Sequence, residues 1–287
     1  MINSKGFWIN YRSWQRQCLY PLISVGVALT ICVSTTSPSQ SIGFRDLIRI
    51  VPQATQIFNL SRMSDSQEVN LGQQMNQQLQ QEVRLSSNSQ LNSYVDQIGR
   101  RLAANSDRPN LSYTFQVVED PAVNAFATTG GFIYVNTGLL KTAENEAELA
   151  SVLAHEMGHI EGKHLVKQMR QQAITSGLAT ATGLDRNKAI GFGVQLALNL
   201  PHSRQDELDA DKRGLKILTR TGYAQSGMVS FMKKLQGSSS LPTFLSTHPG
   251  AGDRIVALQK QINSRPTNNN YGLDNVNYQA KMRGFLQ

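Results

Sequence analysis

The sequence predicts an α+β fold that is mainly helical, with one small β-sheet beside a long helix. Apolar residues recur every three or four positions between residues 64 and 104, a spacing typical of amphipathic helices. The stretch LSYTFQVVED at 111–120 alternates apolar and polar residues and stops at a proline, as a strand does. Gly130 and Gly131 then predict the turn of a hairpin between two short strands within residues 124–140.

Two helices begin the folded region. The first starts at Ser64, where the sequence SDSQ offers a capping box between Ser64 and Gln67, and the second starts near Ser89. Their buried faces are expected to consist of Leu71, Met75, Leu79 and Val83 in the first helix and Leu91, Tyr94, Val95, Ile98 and Leu102 in the second. Further helices are predicted near residues 142–162, 203–221, 226–236 and 252–263, and residues 165–200 are helical in character without clear boundaries.

The N-terminal segment has the three parts of an export signal. Lys5, Arg12 and Arg16 precede a 15-residue apolar run, LYPLISVGVALTICV at 19–33, and a small, polar stretch follows. Because a spanning helix needs about 20 apolar residues, a cleaved signal peptide over residues 1–37 is favoured, and an uncleaved signal anchor stays open. The chain is therefore expected to be exported, as a periplasmic or membrane-anchored protein that faces the extracytoplasmic side.

The remainder is expected to form one domain. Residues 38–63 are rich in Ser, Thr and Gln and have only short apolar patches, which is typical of a linker. The folded domain is predicted to occupy residues 64–265. Residues 266–287, which are loop-like at their start, are predicted to be a tail.

The composition excludes several classes of function. Both cysteines, Cys18 and Cys32, lie in the export segment, so the mature chain is expected to lack a thiol nucleophile, a thiolate ligand and a disulfide. Lipidation of Cys32 is not expected because the branched Ile31 precedes it. The formal net charge is +8, but the basic residues form no run and have no interleaved aromatic residues, which argues against a nucleic-acid partner. Peripheral association with an anionic membrane stays open.

The sequence HEMGH at 155–159 carries the clearest chemical pattern. The chain has five histidines, and three of them lie between residues 155 and 164. On a helix, His155 and His159 lie on one face, about 5–6 Å apart, so both rings can bind one ion. Glu156 can face the same cleft and deprotonate a water molecule, which is the H-E-x-x-H arrangement of zinc hydrolases. One Zn²⁺ per chain is therefore expected.

A catalytic zinc needs a third protein ligand and one open position. The candidates are a downstream carboxylate or one of the histidines His164, His202 and His248. His164 follows His155 by nine residues, so it faces away or lies past the helix end, and we interpret it as a capping or structural histidine. Glu207 and Asp211 are four residues apart on a predicted helix. One of them can bind zinc while the other accepts the ring N–H of a ligand histidine.

Four segments together resemble the HtpX/BepA/Oma-type zinc metallopeptidases, peptidase family forty-eight of the metallo class. The segments are NEAELASVLAHEMGHIEGKH at 145–164, NAFATTGGFIYVNTGLL at 124–140, SRQDELDAD at 203–211 and THPGAGDRI at 247–255. The resemblance covers about residues 64–263. It implies a zincin-like metallopeptidase domain with a small β-sheet beside the helix that carries the HExxH motif.

The resemblance also implies roles for individual residues. The implied zinc ligands are His155, His159 and Glu207. Glu156 is implied as the general base, and Asp211 is implied to orient a ligand histidine. His248 and Arg254 are implied to lie over the site, where they stabilise an oxyanion or where His248 occupies the zinc in a latent state.

The expected activity is zinc-dependent hydrolysis of peptide bonds in unfolded or misassembled envelope proteins. A strand within residues 124–135 can present an open edge, at which an extended substrate pairs through main-chain hydrogen bonds. The residues expected to bind substrate are Asn124, Ala125, Phe126 and Ala127. Two alternatives stay open: a zinc-containing, chaperone-like binding protein without proteolytic activity, and an esterase or amidase that uses the same site.

Overall fold

The computed structural model describes residues 57–58, 60, 62–175, 184–238 and 241–286 of the chain. The export segment predicted at residues 1–37 and most of the linker predicted at 38–63 lie outside the described residues. In the described part, no helix combines the length and the apolarity that a membrane span needs.

Helices dominate the described part of the chain, as the sequence predicts. They are α1 Asp65–Glu82, α2 Ser89–Ala103, α3 Thr137–Thr142, α4 Glu146–Glu161, α5 His164–Thr175, α6 Arg186–Asn199, α7 Arg204–Thr221, α8 Ser226–Gln236, α9 Thr243–Thr247, α10 Ala251–Ser264 and α11 Asn275–Phe285. The helices predicted near 203–221, 226–236 and 252–263 correspond to α7, α8 and α10. Residues 165–200, whose boundaries the sequence did not resolve, contain α5 and α6.

The two N-terminal helices begin and pack as predicted. Ser64 Oγ accepts a hydrogen bond from Gln67 N, and Gln67 Oε1 accepts one from Ser64 N, which completes the capping box of α1. Asn88 caps α2 by accepting a hydrogen bond from Leu91 N at 3.0 Å. The predicted apolar stripes are buried, except that Val83 is half-buried at the end of α1.

A three-stranded mixed sheet packs beside α4. The strands of the described part are β1 Ile57–Phe58, β2 Thr114–Val118, β3 Ala125–Ala127, β4 Phe132–Asn136 and β5 Leu184–Asp185. The mixed sheet has the order β2–β4–β3, with β4 parallel to β2 and antiparallel to β3, so β3 is an edge strand. The predicted hairpin turn is confirmed, because Gly130 and Gly131 adopt φ values of 74° and 103° between β3 and β4. β1 pairs separately with β5.

The long helix predicted at 142–162 is interrupted near its start. The chain leaves α3 at Ala143, whose ψ of 135° is extended, and α4 begins after Asn145. Asn145 caps α4 by accepting a hydrogen bond from Glu148 N at 3.0 Å, a role for which a short amide side chain is well suited. Glu148 in turn accepts from Glu144 N at 2.8 Å. These polar caps set the helix boundary inside a stretch that the sequence pattern treats as continuous.

The centre of the fold is α4, whose residues are buried from Ala147 to Glu161. Its most extensive contacts are with α7. Gly158 permits these two helices to approach closely, because a Cβ at this position would lie 2.5 Å from the carbonyl oxygen of Ala210. The close approach brings side chains of α4 and α7 into one buried space.

The C-terminal region differs from the tail predicted at 266–287. A loop leads to residue 274, as predicted, but α11 follows, and its residues Tyr278 and Met282 belong to the main hydrophobic core. The Tyr278 hydroxyl also donates to the carbonyl of Leu140 at 2.8 Å. Because these are the only two buried residues of α11, its apolar periodicity is too weak to indicate a packed helix from sequence.

Candidate metal centre

Three parts of the chain supply the side chains of one buried cluster. Helix α4 provides the residues of the HExxH motif, α7 provides two carboxylates, and the chain from the end of α9 into α10 provides a histidine and an arginine. Each of these residues is at most 4 % exposed: His155, Glu156, His159, Glu207, Asp211, His248 and Arg254. The structure therefore brings together all seven residues that the sequence assigned to metal binding and catalysis.

Four donor atoms converge within this cluster. Glu207 Oε1 lies 3.3 Å from His159 Nε2 and 3.2 Å from His248 Nδ1, and Glu207 Oε2 lies 3.5 Å from His155 Nε2. His155 Nε2 lies 3.0 Å from His159 Nε2 and 3.4 Å from His248 Nδ1. A tetrahedral zinc ion with bonds of about 2.0–2.1 Å separates its ligand atoms by about 3.3 Å. The four residues thus form a group that could hold a metal ion.

The hydrogen bonds around His155 indicate which of its nitrogens is free. Asp211 Oδ1 lies 2.9 Å from His155 Nδ1, so the carboxylate accepts the Nδ1 proton and the Nε2 lone pair faces the cluster in the neutral ring. His155 Nε2 lies next to His159 Nε2 and to the carboxylate of Glu207. With the ring neutral, these acceptors face one another without a donor, which is costly when buried, and a proton or a divalent cation at their centre satisfies them. The donor set therefore fits a metal.

Negative charge dominates the electrostatics of the cluster. Burial and Arg254 lower the pKa of His155, but hydrogen bonds with Asp211 and Glu207 outweigh them and raise the pKa to about 9. Burial opposes ionisation of Glu207, yet His248 and the hydrogen bonds of His155 and His159 hold the pKa of Glu207 well below its usual range. The cluster therefore favours a positive charge between these groups, which a metal ion can supply.

Glu156 lies beside the donor cluster without joining it. Its Oε1 is 3.5 Å from His248 Nε2, and within the described residues neither of its carboxylate oxygens has a hydrogen-bond partner. Burial raises the pKa of Glu156. A buried carboxylate with two free oxygens and a raised pKa is suited to accept a proton near neutral pH.

Arg254 connects α10 to the two carboxylates of α7. Its Nε and Nη2 donate to Asp211 Oδ2 and Oδ1 at 2.8 and 2.7 Å, a bidentate pair. Its Nη1 lies 2.5 Å from Glu207 Oε2, without the alignment of a hydrogen bond, and donates to the carbonyl of His248 at 3.3 Å. In this conformation the guanidinium is directed at carboxylates, so the oxyanion role expected for Arg254 stays a prediction.

His248 takes a position that the sequence left open. It follows α9, its backbone N–H donates to Phe244 O at 2.8 Å, and its ring stacks on Phe244 at a centroid distance of 4.3 Å. These contacts direct Nδ1 at Glu207 and His155. His248 therefore completes a set of four donors in this conformation.

Two further histidines, which the sequence analysis named as candidates for a third ligand but did not assign to the site, pack against His159. His164 Nδ1 lies 3.0 Å from His159 Nδ1, and the His202 ring stacks on His159 at a centroid distance of 4.0 Å. All five histidines of the chain therefore meet in one cluster. The concentration of histidines at 155–164 pointed to His164, but the five-residue spacing of His159 and His164 does not match a helical period. His202 was a candidate only because a catalytic zinc needs a third ligand.

The residues expected to bind substrate form the edge strand β3 and the residue before it. Asn124 O accepts from Asn136 N at 3.0 Å, which directs the even-numbered residues toward β4. The main-chain groups of Ala125 and Ala127 face the opposite side, where no described residue forms a hydrogen bond with them. Ala127, His159 and His202 are among the residues that line one small cavity of about 10 Å³. The strand edge thus adjoins the cluster, and its role in substrate binding stays a prediction.

The comparison with known proteins agrees with this geometry. A sequence profile of peptidase family M48 matches residues 89–262, which is more than half of the chain. The chain belongs to peptidase family M48. The resemblance inferred from its motifs is thereby confirmed, and the fold expected of that family, mainly helical with a small sheet beside the HExxH helix, is the one observed.

Several curated relatives of this M48 chain are peptidases. The beta-barrel assembly-enhancing protease of Escherichia coli strain K12 is 28% identical over 227 residues, which cover 71% of this chain and 45% of that protein. Its counterpart of the same name in Yersinia pestis is 29% identical over 222 residues, covering 70% and 45%. The mitochondrial metalloendopeptidase OMA1 of Arabidopsis thaliana is 34% identical over 159 residues, covering 54% and 33%. The chain spans less than half the length of these relatives.

Proposed function

We propose that this M48 chain is a zinc-dependent endopeptidase. The proposed zinc ligands are His155, His159 and Glu207, with one Zn²⁺ per chain. The observation that carries the proposal is the convergence of buried donors from separate elements at the spacings of a zinc tetrahedron, with the unpaired Glu156 beside them. Membership of a peptidase family and the metalloendopeptidase named among its relatives support the same activity.

The proposed mechanism assigns the proton transfers to Glu156. Zinc bound here would polarise the scissile carbonyl and lower the pKa of a water molecule to about 7. Glu156 accepts the proton of the attacking water and delivers it to the leaving amine, and burial, which raises the pKa of this carboxyl group, suits it to both steps. Asp211 holds the Nδ1 proton of His155, and Arg254 holds Asp211 in place.

We infer that His248 has two roles in turn. A catalytic zinc site keeps one position open, and the fourth donor position is taken here by His248 Nδ1. The observed conformation therefore fits a latent state, from which the ring must move before substrate binds. Once displaced, the ring of His248 would be free to donate a hydrogen bond to the developing oxyanion, which is the other role that the family resemblance implies.

The substrates proposed are extended segments of unfolded or misassembled envelope proteins. The main-chain groups of Ala125 and Ala127 have no hydrogen-bond partner in the described residues, but both residues are buried, so this edge must be uncovered before it pairs with such a segment. The pairing would involve the substrate backbone more than its side chains. The protease function in the relatives' names concerns β-barrel assembly, which fits an envelope substrate. Export to the periplasm or anchoring at its membrane, with peripheral membrane association, is proposed with this substrate class.

The test is a comparison of the wild-type chain with Glu156→Gln at equal zinc content. We expect the wild type to degrade casein and the variant to lose about 10²–10⁴-fold in rate, because the general base is removed while the ligands stay. Glu144→Gln is a matched control, since Glu144 is exposed and lies outside the cluster. Casein cleavage by the Glu156→Gln protein at the wild-type rate contradicts the proposal, and zinc binding without cleavage by either protein supports the chaperone-like alternative.

A further inference from the structure

We propose that His164 is a positioning residue for the metal centre: its imidazole accepts the Nδ1 proton of His159 and is itself held by Asp209. This inference rests on the proposed zinc site, and it concerns a residue for which the sequence indicated only a capping or structural role. The observations that carry it are two short contacts at opposite ends of one buried ring.

The hydrogen-bond directions follow from the ligand role of His159. Its Nε2 faces the donor cluster, so the neutral ring carries its proton on Nδ1. The partner of that Nδ1 in the described part of the chain is His164 Nδ1, at 3.0 Å. His164 must then accept at Nδ1 and carry its own proton on Nε2, which donates to Asp209 Oδ2 at 3.1 Å. Arg213 Nε holds the same carboxylate oxygen at 2.7 Å.

The two ligand histidines therefore have different supports. His155 donates directly to the carboxylate of Asp211, whereas His159 donates to a neutral ring that donates to a carboxylate. Partners of this kind fix the tautomer and the orientation of a metal-bound imidazole. Because His164 lies between them, the carboxylate that supports His159 is one residue further from the metal than the carboxylate that supports His155. It belongs to the half-buried Asp209.

The local backbone is arranged to bring the His164 ring under His159. On a continuous helix, residues five apart point about 140° away from each other. The chain instead ends α4 and turns at Lys163, which has a φ of 52° and is the only non-glycine residue in the described ranges with a positive φ. Gly162 leaves space for the ring, because a Cβ there would lie 2.2 Å from His164 Nε2.

Ion pairs hold this turn in its unusual conformation. Lys163 Nζ lies 2.6 Å from Asp65 Oδ1 and 3.1 Å from Glu68 Oε2, so the side chain of the left-handed residue is fixed to α1. Strained backbone conformations persist where the surrounding structure over-determines them, and they concentrate at functional sites. The turn, the glycine and the ion pairs all favour one placement of His164.

The experiment measures zinc affinity, which does not require catalytic activity. The full chain and its variants His164→Leu and His164→Asn compete for zinc with a chromophoric chelator. We expect His164→Leu to bind zinc about 10–100-fold more weakly, as changes to such supporting groups commonly do. His164→Asn should stay close to wild type, because its Oδ1 can occupy the place of Nδ1 and accept the proton of His159.

Two further measurements distinguish positioning from core packing. The visible spectrum of the Co²⁺-substituted protein should change in His164→Leu and stay unchanged in His164→Asn, because it reports the ligand geometry. Thermal unfolding of the metal-free proteins shows whether a variant has lost stability in general. Asp209→Ala, which removes the more distant partner, should weaken zinc binding less than His164→Leu.

Equal zinc affinity and equal Co²⁺ spectra in wild type and His164→Leu would overturn the inference. Equal losses in the Leu and Asn variants, accompanied by equal losses of metal-free stability, would overturn it as well, because packing alone would then explain the effect. A wild-type chain that binds no zinc contradicts the proposed function itself, and that result is distinct from equal binding by all variants.

Discussion

Two buried carboxylates, one on α1 and one on α7, have contrasting surroundings. Glu68, which is fully buried, receives Arg108 Nη1 and Nη2 at 3.0 Å each, Thr129 Oγ1 at 3.0 Å and Lys163 Nζ at 3.1 Å. Glu207, equally buried, faces ring nitrogens at 3.2–3.5 Å and Arg254 Nη1 at 2.5 Å, and its Oε2 has no aligned hydrogen-bond donor in the described residues. The first carboxylate receives aligned hydrogen bonds, whereas the second has one ion pair and otherwise faces ring nitrogens that can bind a metal.

The difference separates a structural cluster from a functional one. Around Glu68 the chain supplies two cations, and they join α1, the hairpin turn and the end of α4. Around Glu207 the chain supplies one cation, Arg254, whose aligned hydrogen bonds go to Asp211, and the pKa of His155 is raised to about 9 by its carboxylate neighbours despite burial. A buried group that the protein leaves unsatisfied indicates where an external partner belongs. Variants of both carboxylates test this contrast, and a variant of Gly158 tests the helix spacing on which the cluster around Glu207 depends.

The largest expected effect is on stability, from Glu68→Gln. Removing the charge of the buried Glu68 leaves Arg108 with only the exposed Asp65 as a counter-ion, so the free energy of unfolding of the metal-free protein should fall by about 3–5 kcal/mol. Urea denaturation provides the measurement. Glu82→Gln on the same helix is the control, and because Glu82 is exposed, it should change the value by less than about 0.5 kcal/mol.

The same variant has a predicted pH dependence. Burial raises the pKa of Glu68, but Arg108 and Lys163 outweigh it, and the folded-state pKa lies below the ordinary value. The stabilisation is therefore present above the unfolded-state pKa of about 4.3 and is lost as the pH falls through the lower folded-state pKa. The stability difference between wild type and Glu68→Gln should shrink in acid. A difference that stays constant from pH 7 to pH 3 would contradict this assignment.

The second effect is on metal binding, from Glu207→Gln. Zinc affinity should fall by more than about 100-fold, since even the groups that support a ligand contribute about 10–100-fold. Stability of the metal-free protein should fall by less than in Glu68→Gln, because Arg254 keeps its bidentate pair with Asp211 after Glu207 loses its charge. Chelator competition and urea denaturation give the two values. A metal-free loss as large as that of Glu68→Gln would show that the two carboxylates do not differ as we infer.

The smallest effect is expected from Gly158→Ala. The added Cβ would lie 2.5 Å from Ala210 O, so α4 and α7 must separate, with a cost of about 1–3 kcal/mol and a weaker zinc site. Gly284→Ala is the matched control, since a Cβ in that helix meets no atom within 4 Å and should stabilise by up to about 1 kcal/mol. For both variants, urea denaturation measures the free energy of unfolding and chelator competition measures the zinc affinity. Unchanged zinc affinity in Gly158→Ala would show that the site tolerates a wider helix spacing.

Sequence reasoning recovered the parts of the structure that rest on local rules. The capping box at Ser64, the glycine turn at Gly130 and the helical spacing of His155 and His159 each depend on neighbours in sequence. The position of Glu207 beside His155 and His159 was also anticipated, because the combined motifs that imply it are highly specific.

The remaining features depend on contacts between distant residues. The break before α4 is stabilised by side-chain caps at Asn145 and Glu148, within an apolar pattern that continues through it. α11 is held by two core residues, which is too few for a periodic signal. The placement of His164 needs a left-handed turn at Lys163, and that turn depends on ion pairs with α1, about a hundred residues earlier.

Because every histidine of the chain lies in one cluster, NMR spectroscopy of labelled histidine can observe this cluster alone. Selective ¹⁵N labelling of histidine would enrich only five rings, and each contacts another member of the cluster. Their nitrogen shifts would report tautomer, protonation and metal binding with no background signal from elsewhere in the polypeptide, provided that purification avoids a polyhistidine tag.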